Sequence, residues 1–195
     1  MADDPEIATC AGLFNQIEPA VVTFGCTSAS FAGGAGGDIP VLENIKRGTS
    51  AAPSSTSTGF LDACHTLGVT RVAIASVYRE EVTTRFVEFL SHAGIETVSH
   101  RSVGWEGQPD DDHRLTTADV ERLARECDHP SAAAILIPET NILTTEAIPI
   151  IEAQLGKPVL TAIQVTVWHA ARLAGSDWTG GIGRIWQAGL PAKSA

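Results

Sequence analysis

The sequence predicts an α/β protein built on parallel sheets, and two observations predict it. From residue 71 onward, short apolar runs alternate with amphipathic helical patterns, which is the order of a βαβαβ run. In addition, a helix, an apolar strand and a polar turn recur at an offset of about 113 residues in this numbering. The run at 21–24 leads into Cys26, and the run at 134–137 leads into Glu139. The recurrence predicts two related halves with one site between them.

The first half begins with a predicted helix at 5–17 and a strand at 20–25. The helix carries Ile7, Cys10, Ala11 and Phe14 on one face. Residues 31–58 are rich in Gly, Ser, Thr and Ala, as in a flexible linker. We expect an ordered site loop instead, because apolar residues interrupt the stretch. Its Ser/Thr cluster is expected to cap a helix bearing Phe60, Leu61, Cys64 and Leu67.

The second half is more regular. Its apolar runs predict strands at 71–77, 95–99, 133–137 and 158–162, and its periodic stretches predict helices at 82–93, 117–127, 145–155 and 164–174. Thr116 and Asp119 have the spacing of a capping box at the start of one helix. The tail from Asp177 is expected to pack back as an extended piece with Trp178 and Trp186.

The recurrence also predicts that one segment is missing. The second half has a strand, a helix, a strand and a loop, at about 70–116, before its shared helix, whereas the first half has only Met1 to Asp4 there. We therefore expect a βαβ segment of comparable length to be lacking upstream. The first strand of a doubly wound sheet is usually central, so its loss would leave the first half incomplete.

Composition excludes several classes of function. The net charge of −10 argues against a nucleic-acid surface, although it permits a small anionic substrate. No apolar stretch is long enough to span a bilayer, and the acidic N-terminus differs from a signal peptide. We expect a cytoplasmic protein with no membrane partner. Self-association of the chain is compatible with these observations.

The cysteines and acidic runs do not indicate a metal centre. The four cysteines lack C-x-x-C spacing, and Cys10, Cys64 and Cys127 are interpreted as small core residues of helices. The run at 110–113, three aspartates and a histidine, is interpreted as an exposed charged loop. We expect neither a metal nor another cofactor.

Three polar side chains follow predicted strands: Cys26, Tyr78 and Glu139. Ligands of parallel α/β sheets bind at the carboxyl ends of strands, so these three are the candidate site. Hydroxyl and turn N–H groups of Thr27, Ser28, Thr140 and Asn141 could hold carboxylates and a developing enolate. A structural alternative stays open for each: Tyr78 bonded to a loop, Cys26 as a core thiol, Glu139 as a solvated acid. His169 is interpreted as structural.

Several motifs in order resemble the aspartate/glutamate racemase superfamily, in the branch of maleate cis-trans isomerase and arylmalonate decarboxylase. The resemblance covers roughly residues 5–175 and rests on residues 26–31, Val77-Tyr78, residues 140–144, residues 156–160 and Trp168-His169. It implies two flavodoxin-like three-layer αβα lobes related by a pseudo-twofold axis. It also implies cofactor-independent chemistry next to a carboxylate. The first lobe would run over 1–58 plus 159–195, and the second over 59–158, with the active site in the cleft.

Carried over by position, the resemblance gives Cys26 the role of the first-lobe cysteine. It gives Thr27, Ser28 and Tyr78 roles in binding a carboxylate or oxyanion, and Asn141 a role in binding substrate. The chain departs from the family in having Glu139 where racemases and maleate isomerases have a second cysteine. The decarboxylase has its one cysteine on the second lobe and glycine on the first, the reverse of this arrangement.

The leading interpretation is an isomerase of the maleate type, acting on a small dicarboxylate through Cys26. Two routes stay open: the Cys26 thiolate adds to an activated C=C bond and permits rotation, or protons are transferred by Cys26 on one face and Glu139 on the other. The first alternative is a decarboxylase of substituted malonates, which needs one proton donor only. The second alternative is a non-catalytic dicarboxylate-binding protein.

Overall fold

The computed structural model describes residues 4–105 and 115–188. The helices are α1 (Glu6–Leu13), α2 (Thr27–Phe31), α3 (Ile39–Gly48), α4 (Thr56–Thr66), α5 (Glu80–His92), α6 (Thr117–Cys127), α7 (Ala147–Leu155), α8 (Ala162–Leu173) and α9 (Arg184–Gln187), with a 3₁₀ turn at Phe14–Ile17. The strands are β1 (Val21–Phe24), β2 (Ala52–Ser55), β3 (Arg71–Tyr78), β4 (Glu96–Trp105), β5 (Ala134–Ile137) and β6 (Val159–Thr161). The α/β class with parallel sheets is thereby confirmed.

The strands form two parallel sheets. One has two strands, β1 and β2, paired from Val21 with Ala52 to Phe24 with Ser55. The other has four strands in the order β4-β3-β5-β6. Parallel strands at every pairing place all strand carboxyl ends of one sheet at the same edge, which is where side chains for a site can converge.

The four-stranded sheet is covered on both faces because its central strand is apolar on both. Val72 and Ile74 of β3 face a core that includes Phe60, Phe86 and Trp168, from α4, α5 and α8. The alternate residues of β3 face a second core, built with α6 and α7, that includes Leu123, Ile135 and Ile151. The result is a three-layer αβα unit, as continuous apolar parallel strands predict.

The recurrence in the sequence reappears in the strand pairings. Strands β1 and β5 lie 113 positions apart, and each pairs with a later strand that leads directly into a helix of at least eleven residues: β2 into α4, and β6 into α8. Strand β5 also pairs with β3 on its other side. Within the residues described here, β1 has no such second partner.

The unpartnered side of β1 borders an apolar surface groove of about 360 Å³. Its lining includes Ile7, Cys10, Phe14, Val22 and Phe24. The prediction that Cys10 is a core residue is wrong, since Cys10 is exposed and Phe14 is 51% exposed. Within the described residues β1 pairs with β2 alone, so Cys10 and Phe14 face the groove, whereas Ile7 packs on a small core of Ala11, Val41 and Ile45. Cys64 and Cys127 are buried, as predicted.

Helices α4 and α8 join the two sheets, and their contact is close because Gly59 has no side chain. A Cβ at Gly59 would lie 2.9 Å from the Val165 carbonyl oxygen. Beside this contact, the Ser54 hydroxyl and His169 Nδ1 are 2.7 Å apart, and His169 Nε2 lies 3.7 Å from Asp62. Buried hydrogen bonding makes His169 part of the packing, in line with its structural interpretation.

Strand β2 is the main element that the sequence did not predict. Its sequence Ala52-Pro53-Ser54-Ser55 has the composition of a loop. The strand forms because Pro is tolerated at the edge of a sheet and because its serines have partners. Ser54 pairs with His169, and Ser55 caps α4 by accepting from the Thr58 amide.

Other differences are smaller. Helices α2, α3 and α9 were not predicted as helices, while α6 and its capping box at Thr116 and Asp119 are confirmed. Strand β6 pairs with β5 in the four-stranded sheet, and the boundary between units at 158/159 stays a prediction. The charged run at 110–113 lies outside the described residues. No helix in the described ranges is long and apolar enough to cross a membrane.

The C-terminal tail packs back through one buried carboxylate. Glu152 of α7 accepts from the amides of Val159 and Arg184, both at 3.0 Å. The Trp178 and Trp186 rings meet edge to face, with centroids 4.8 Å apart. The predicted packing of the tail is confirmed, although its end forms the short helix α9.

Candidate active site

The first turn of the site, Cys26 to Ser28, follows β1 and opens α2. Cys26 is the half-buried residue before the first helical residue, and its Sγ lies 3.9 Å from Ser28 Oγ. The Thr27 carbonyl oxygen lies 2.9 Å from Ser30 Oγ and 3.2 Å from Ser57 Oγ, and these two hydroxyls are 2.6 Å apart. This buried hydroxyl pair fixes the first turn to the start of α4.

The side chain of Thr27 has an unused hydrogen-bonding group. Thr27 is 1% exposed, and no atom meets its hydroxyl with hydrogen-bond geometry. Leaving a buried hydroxyl unpaired costs about 1–3 kcal/mol, so such a group in a native protein is usually explained by a bound water, ion or ligand. The first turn therefore offers an open polar contact beside Cys26.

Tyr78 ends β3 and stands between the two turns. Its hydroxyl donates to the Pro138 carbonyl oxygen at 2.5 Å, and its ring meets Phe31 edge on at 6.1 Å between centroids. Burial raises the pKa of Tyr78 well above its usual value of 10, the nearby Glu139 carboxylate raises it further, and Cys26 adds a smaller increase. The nearby Thr27 hydroxyl lowers the pKa of Tyr78 and partly offsets these increases. The phenol thus stays protonated at neutral pH and can act as a donor.

The second turn, Glu139 to Asn141, follows β5. Glu139 Oε1 accepts from the Asn141 amide at 2.8 Å and, more weakly, from the Thr140 hydroxyl at 3.4 Å. Glu139 and Thr140 are half-buried, whereas Asn141 is exposed. The turn therefore holds the carboxylate of its own first residue.

All seven residues singled out from the sequence lie in these three segments. Cys26, Thr27 and Glu139 all lie close enough to the Tyr78 hydroxyl to shift its pKa. The structure places Ser28 against Cys26, and Thr140 and Asn141 against Glu139.

Sequence reasoning missed Ser30, Ser57 and Pro138. Ser57 belongs to the Ser/Thr cluster that was interpreted as a helix cap alone. Pro138 contributes a backbone oxygen, which no side-chain pattern reveals.

The residues brought together are a thiol, a phenol, a carboxylate and several hydroxyls. Across the described ranges, no group of three or more His, Cys, Asp or Glu residues is placed to hold a metal ion. The chemistry available to these side chains is proton transfer, thiol addition and hydrogen bonding to an anion.

Comparison with known proteins places the chain in a family. Residues 5–186 match the model of the arylmalonate decarboxylase family. The chain is 32% identical over 161 residues to arylmalonate decarboxylase of Bordetella bronchiseptica, which covers 80% of this chain and 65% of the relative. It is 26% identical over 174 residues to maleate isomerase of Geobacillus stearothermophilus, covering 85% and 68% of the two chains. The chain thus spans about two thirds of the length of these relatives.

Similarity to solved structures supports the same family. One is a liganded arylmalonate decarboxylase in which one glycine is replaced by cysteine and one cysteine by serine, with a TM-score of 0.86, 31% identity, and coverage of 92% of this chain and 78% of that one. Another is a maleate cis-trans isomerase of Nocardia farcinica with a covalently bound succinylcysteine intermediate. Its TM-score is 0.86 at 19% identity, with coverage of 93% and 77%, so that likeness concerns the fold alone. The chain belongs to the arylmalonate decarboxylase family.

Proposed function

We propose that this protein supports cofactor-independent decarboxylation of a substituted malonate, with Cys26 as the proton donor. The observation that carries the proposal is that one thiol, Cys26, lies at the end of β1, and that Tyr78, whose hydroxyl it influences, is bonded to the Pro138 carbonyl oxygen beside Glu139. Decarboxylation needs a single proton donor, since loss of CO₂ itself leaves the electron pair on the α-carbon. Family membership and the identity to the Bordetella bronchiseptica enzyme support this reaction class.

In the proposed step, the bond between the α-carbon and one carboxylate breaks, and CO₂ leaves. The bonding pair stays on the α-carbon and delocalises into the retained carboxylate as an enediolate. The Thr27 hydroxyl could donate to that enediolate, and so could the protonated Tyr78 phenol once its O–H turns away from the Pro138 carbonyl oxygen. The Cys26 thiol then transfers its proton to the α-carbon, and the resulting thiolate regains a proton from water.

A maleate isomerase activity is the second candidate, and the position of Cys26 favours it. A thiolate at the start of the first turn could add to an activated C=C bond, permit rotation about the resulting single bond, and then leave. The relative from Geobacillus stearothermophilus supports this candidate at 26% identity. Because the family model names the decarboxylase, the isomerase that led the sequence interpretation takes second place.

The test measures CO₂ release from a panel of substituted malonates and fumarate formation from maleate with the same protein. Cys26→Ala should lower turnover by about 100-fold or more, the usual contribution of a positioned acid or base. Cys10→Ala is the matched control, because Cys10 is exposed in the groove beside β1. Unchanged turnover in Cys26→Ala would end both enzyme candidates. Binding of diacids with no turnover of either substrate would favour a dicarboxylate-binding protein.

A further inference from the structure

The two turns of the site occupy equivalent positions but differ in what they hold. Cys26, Thr27 and Ser28 lie 113 positions before Glu139, Thr140 and Asn141, and each set follows an equivalent strand. In the second turn, an amide and a hydroxyl already meet an oxygen of Glu139. In the first turn, the buried Thr27 hydroxyl meets no partner.

Hydrogen-bond donors that converge at a strand end form an anion-binding site, whatever the net charge of the protein. In the second turn, the protein itself supplies the anion, since the Asn141 amide is 2.8 Å from Glu139 Oε1. A ligand carboxylate cannot take that contact while Glu139 holds it. The fixed negative charge also opposes a second carboxylate nearby. In the first turn, the neighbour of the Thr27 hydroxyl is the uncharged Tyr78 phenol, so no resident carboxylate competes there.

We propose that the Glu139 carboxylate is a resident anion that fills the second turn and directs the retained carboxylate of the substrate to the first turn, beside Thr27 and Cys26. This rests on the proposed function for the role of Cys26, and it narrows the substrate class. The substrate has one carboxylate to be held, and presents an uncharged group to the second turn. A substituted malonate meets this condition when its departing carboxylate lies away from Glu139. Maleate, which keeps both carboxylates, fits less well.

The experiment measures binding of unsubstituted malonate by calorimetry in a Cys26→Ala background, where no turnover competes with binding. Glu139→Ser opens the second turn, whereas Glu139→Gln keeps an amide oxygen in reach of the Asn141 amide without the charge. We expect Glu139→Ser to tighten malonate binding about tenfold or more, the usual effect of a hydrogen bond to a charged group. Glu139→Gln should change it by about threefold or less. Should the serine variant fail to fold, Glu139→Ala opens the turn in the same way.

Glu146→Ala is the matched control, because it removes one exposed acid from the same loop without opening the turn. Equal tightening in Glu146→Ala would assign the effect to overall charge and overturn the proposal. A second readout is the amide resonance of Asn141. In Glu139→Ser, the chemical shift of this resonance should change as malonate is added and reach a plateau. It should not change when Glu139 is present. No tightening in the opened variants, or an unmoved Asn141 resonance there, would also overturn it.

These outcomes separate this inference from the proposed function. If Glu139→Ser binds malonate more tightly but the protein carrying Cys26 releases no CO₂, the inference about Glu139 is supported and the decarboxylase function is rejected. If CO₂ is released but Glu139→Ser does not change malonate binding, the decarboxylase function is supported and the inference about Glu139 is rejected.

Discussion

The Tyr78 hydroxyl lies 2.5 Å from the carbonyl oxygen of Pro138, so the end of β3 is tied to the residue before Glu139. The same hydroxyl lies near Thr27 and Cys26 of the first turn. The phenol thus lies between the two turns and is bonded to the second. Because Tyr78 is the chain's only tyrosine, no neighbouring tyrosine can replace it.

Replacing Tyr78 by Phe should lower kcat by about 100-fold, the usual effect of removing one donor to a developing oxyanion. It should also cost about 1–3 kcal/mol of unfolding free energy, since the Pro138 carbonyl loses its donor. Ser102→Ala is the control, because the Ser102 hydroxyl donates to the Tyr78 backbone carbonyl and does not serve the phenol. Equal loss of turnover in both variants would mean that the strand end matters and the phenol does not. Turnover and urea unfolding are the measurements.

A second thiol at position 139 should promote proton exchange. Exchange at an α-carbon through both faces works best with two groups of similar pKa, and free Cys and Glu side chains differ by about four units. Glu139→Cys should therefore raise incorporation of deuterium from D₂O at the substrate α-carbon by about tenfold or more over Glu139→Ser. Both variants open the second turn, so their difference isolates the thiol. Equal exchange in folded variants would place residue 139 away from the face opposite Cys26.

His169 should make the protein less stable in mild acid. Burial lowers the pKa of His169 from 6.5, Arg172 lowers it further, and Asp62 opposes both, while Ser54 faces Nδ1 from β2. Since the unfolded chain binds the proton more readily, this contribution to stability is complete above pH 6.5 and is lost as the pH falls through the lower folded value.

The measurement is the unfolding free energy at a series of pH values. The wild type should lose more stability than His169→Gln as the pH falls below about 6.5. His65→Gln is the control, because His65 is exposed. A profile for His169→Gln parallel to that of the wild type would contradict the assignment.

The groove beside β1 should cause residues 1–195 to associate. An open sheet edge next to exposed apolar side chains favours pairing between chains, and Leu13, Phe14 and Ile17 are 69%, 51% and 73% exposed. Light scattering after size exclusion should show species larger than a monomer, and Phe14→Glu should reduce them. Leu143→Glu is a control at an exposed leucine outside the groove lining. A soluble monomer that unfolds cooperatively would contradict this prediction.

The sequence predicted the second half of the fold well because local signals agree there. The helix Thr117–Cys127 has a capping box, and β3 is a continuous apolar run bounded by polar residues. Strand β2 could not be predicted, because the groups that Pro53 and its two serines meet, strand β1 and His169 of α8, lie far away in the sequence. The information for β2 is therefore not local.

The site was predictable to the extent that it consists of side chains at strand ends. Cys26, Tyr78 and Glu139 follow from that rule. The hydroxyl pair of Ser30 and Ser57 does not, because it joins segments 27 residues apart around a backbone oxygen. Nor could the sequence reveal that Glu139 bonds to its own turn, since that depends on the side-chain rotamer.

The bond between Ser54 and His169 has a consequence for how the protein is made. The two residues are 115 positions apart, so the polar strand β2 emerges from the ribosome long before its partner. At about 5–20 residues per second, the delay is on the order of ten seconds. Meanwhile the strands β3, β4, β5 and β6 can assemble from contacts that are closer in sequence. The beginning of the chain is thus completed last, and a chaperone that shields its first 60 or so residues should act during that interval.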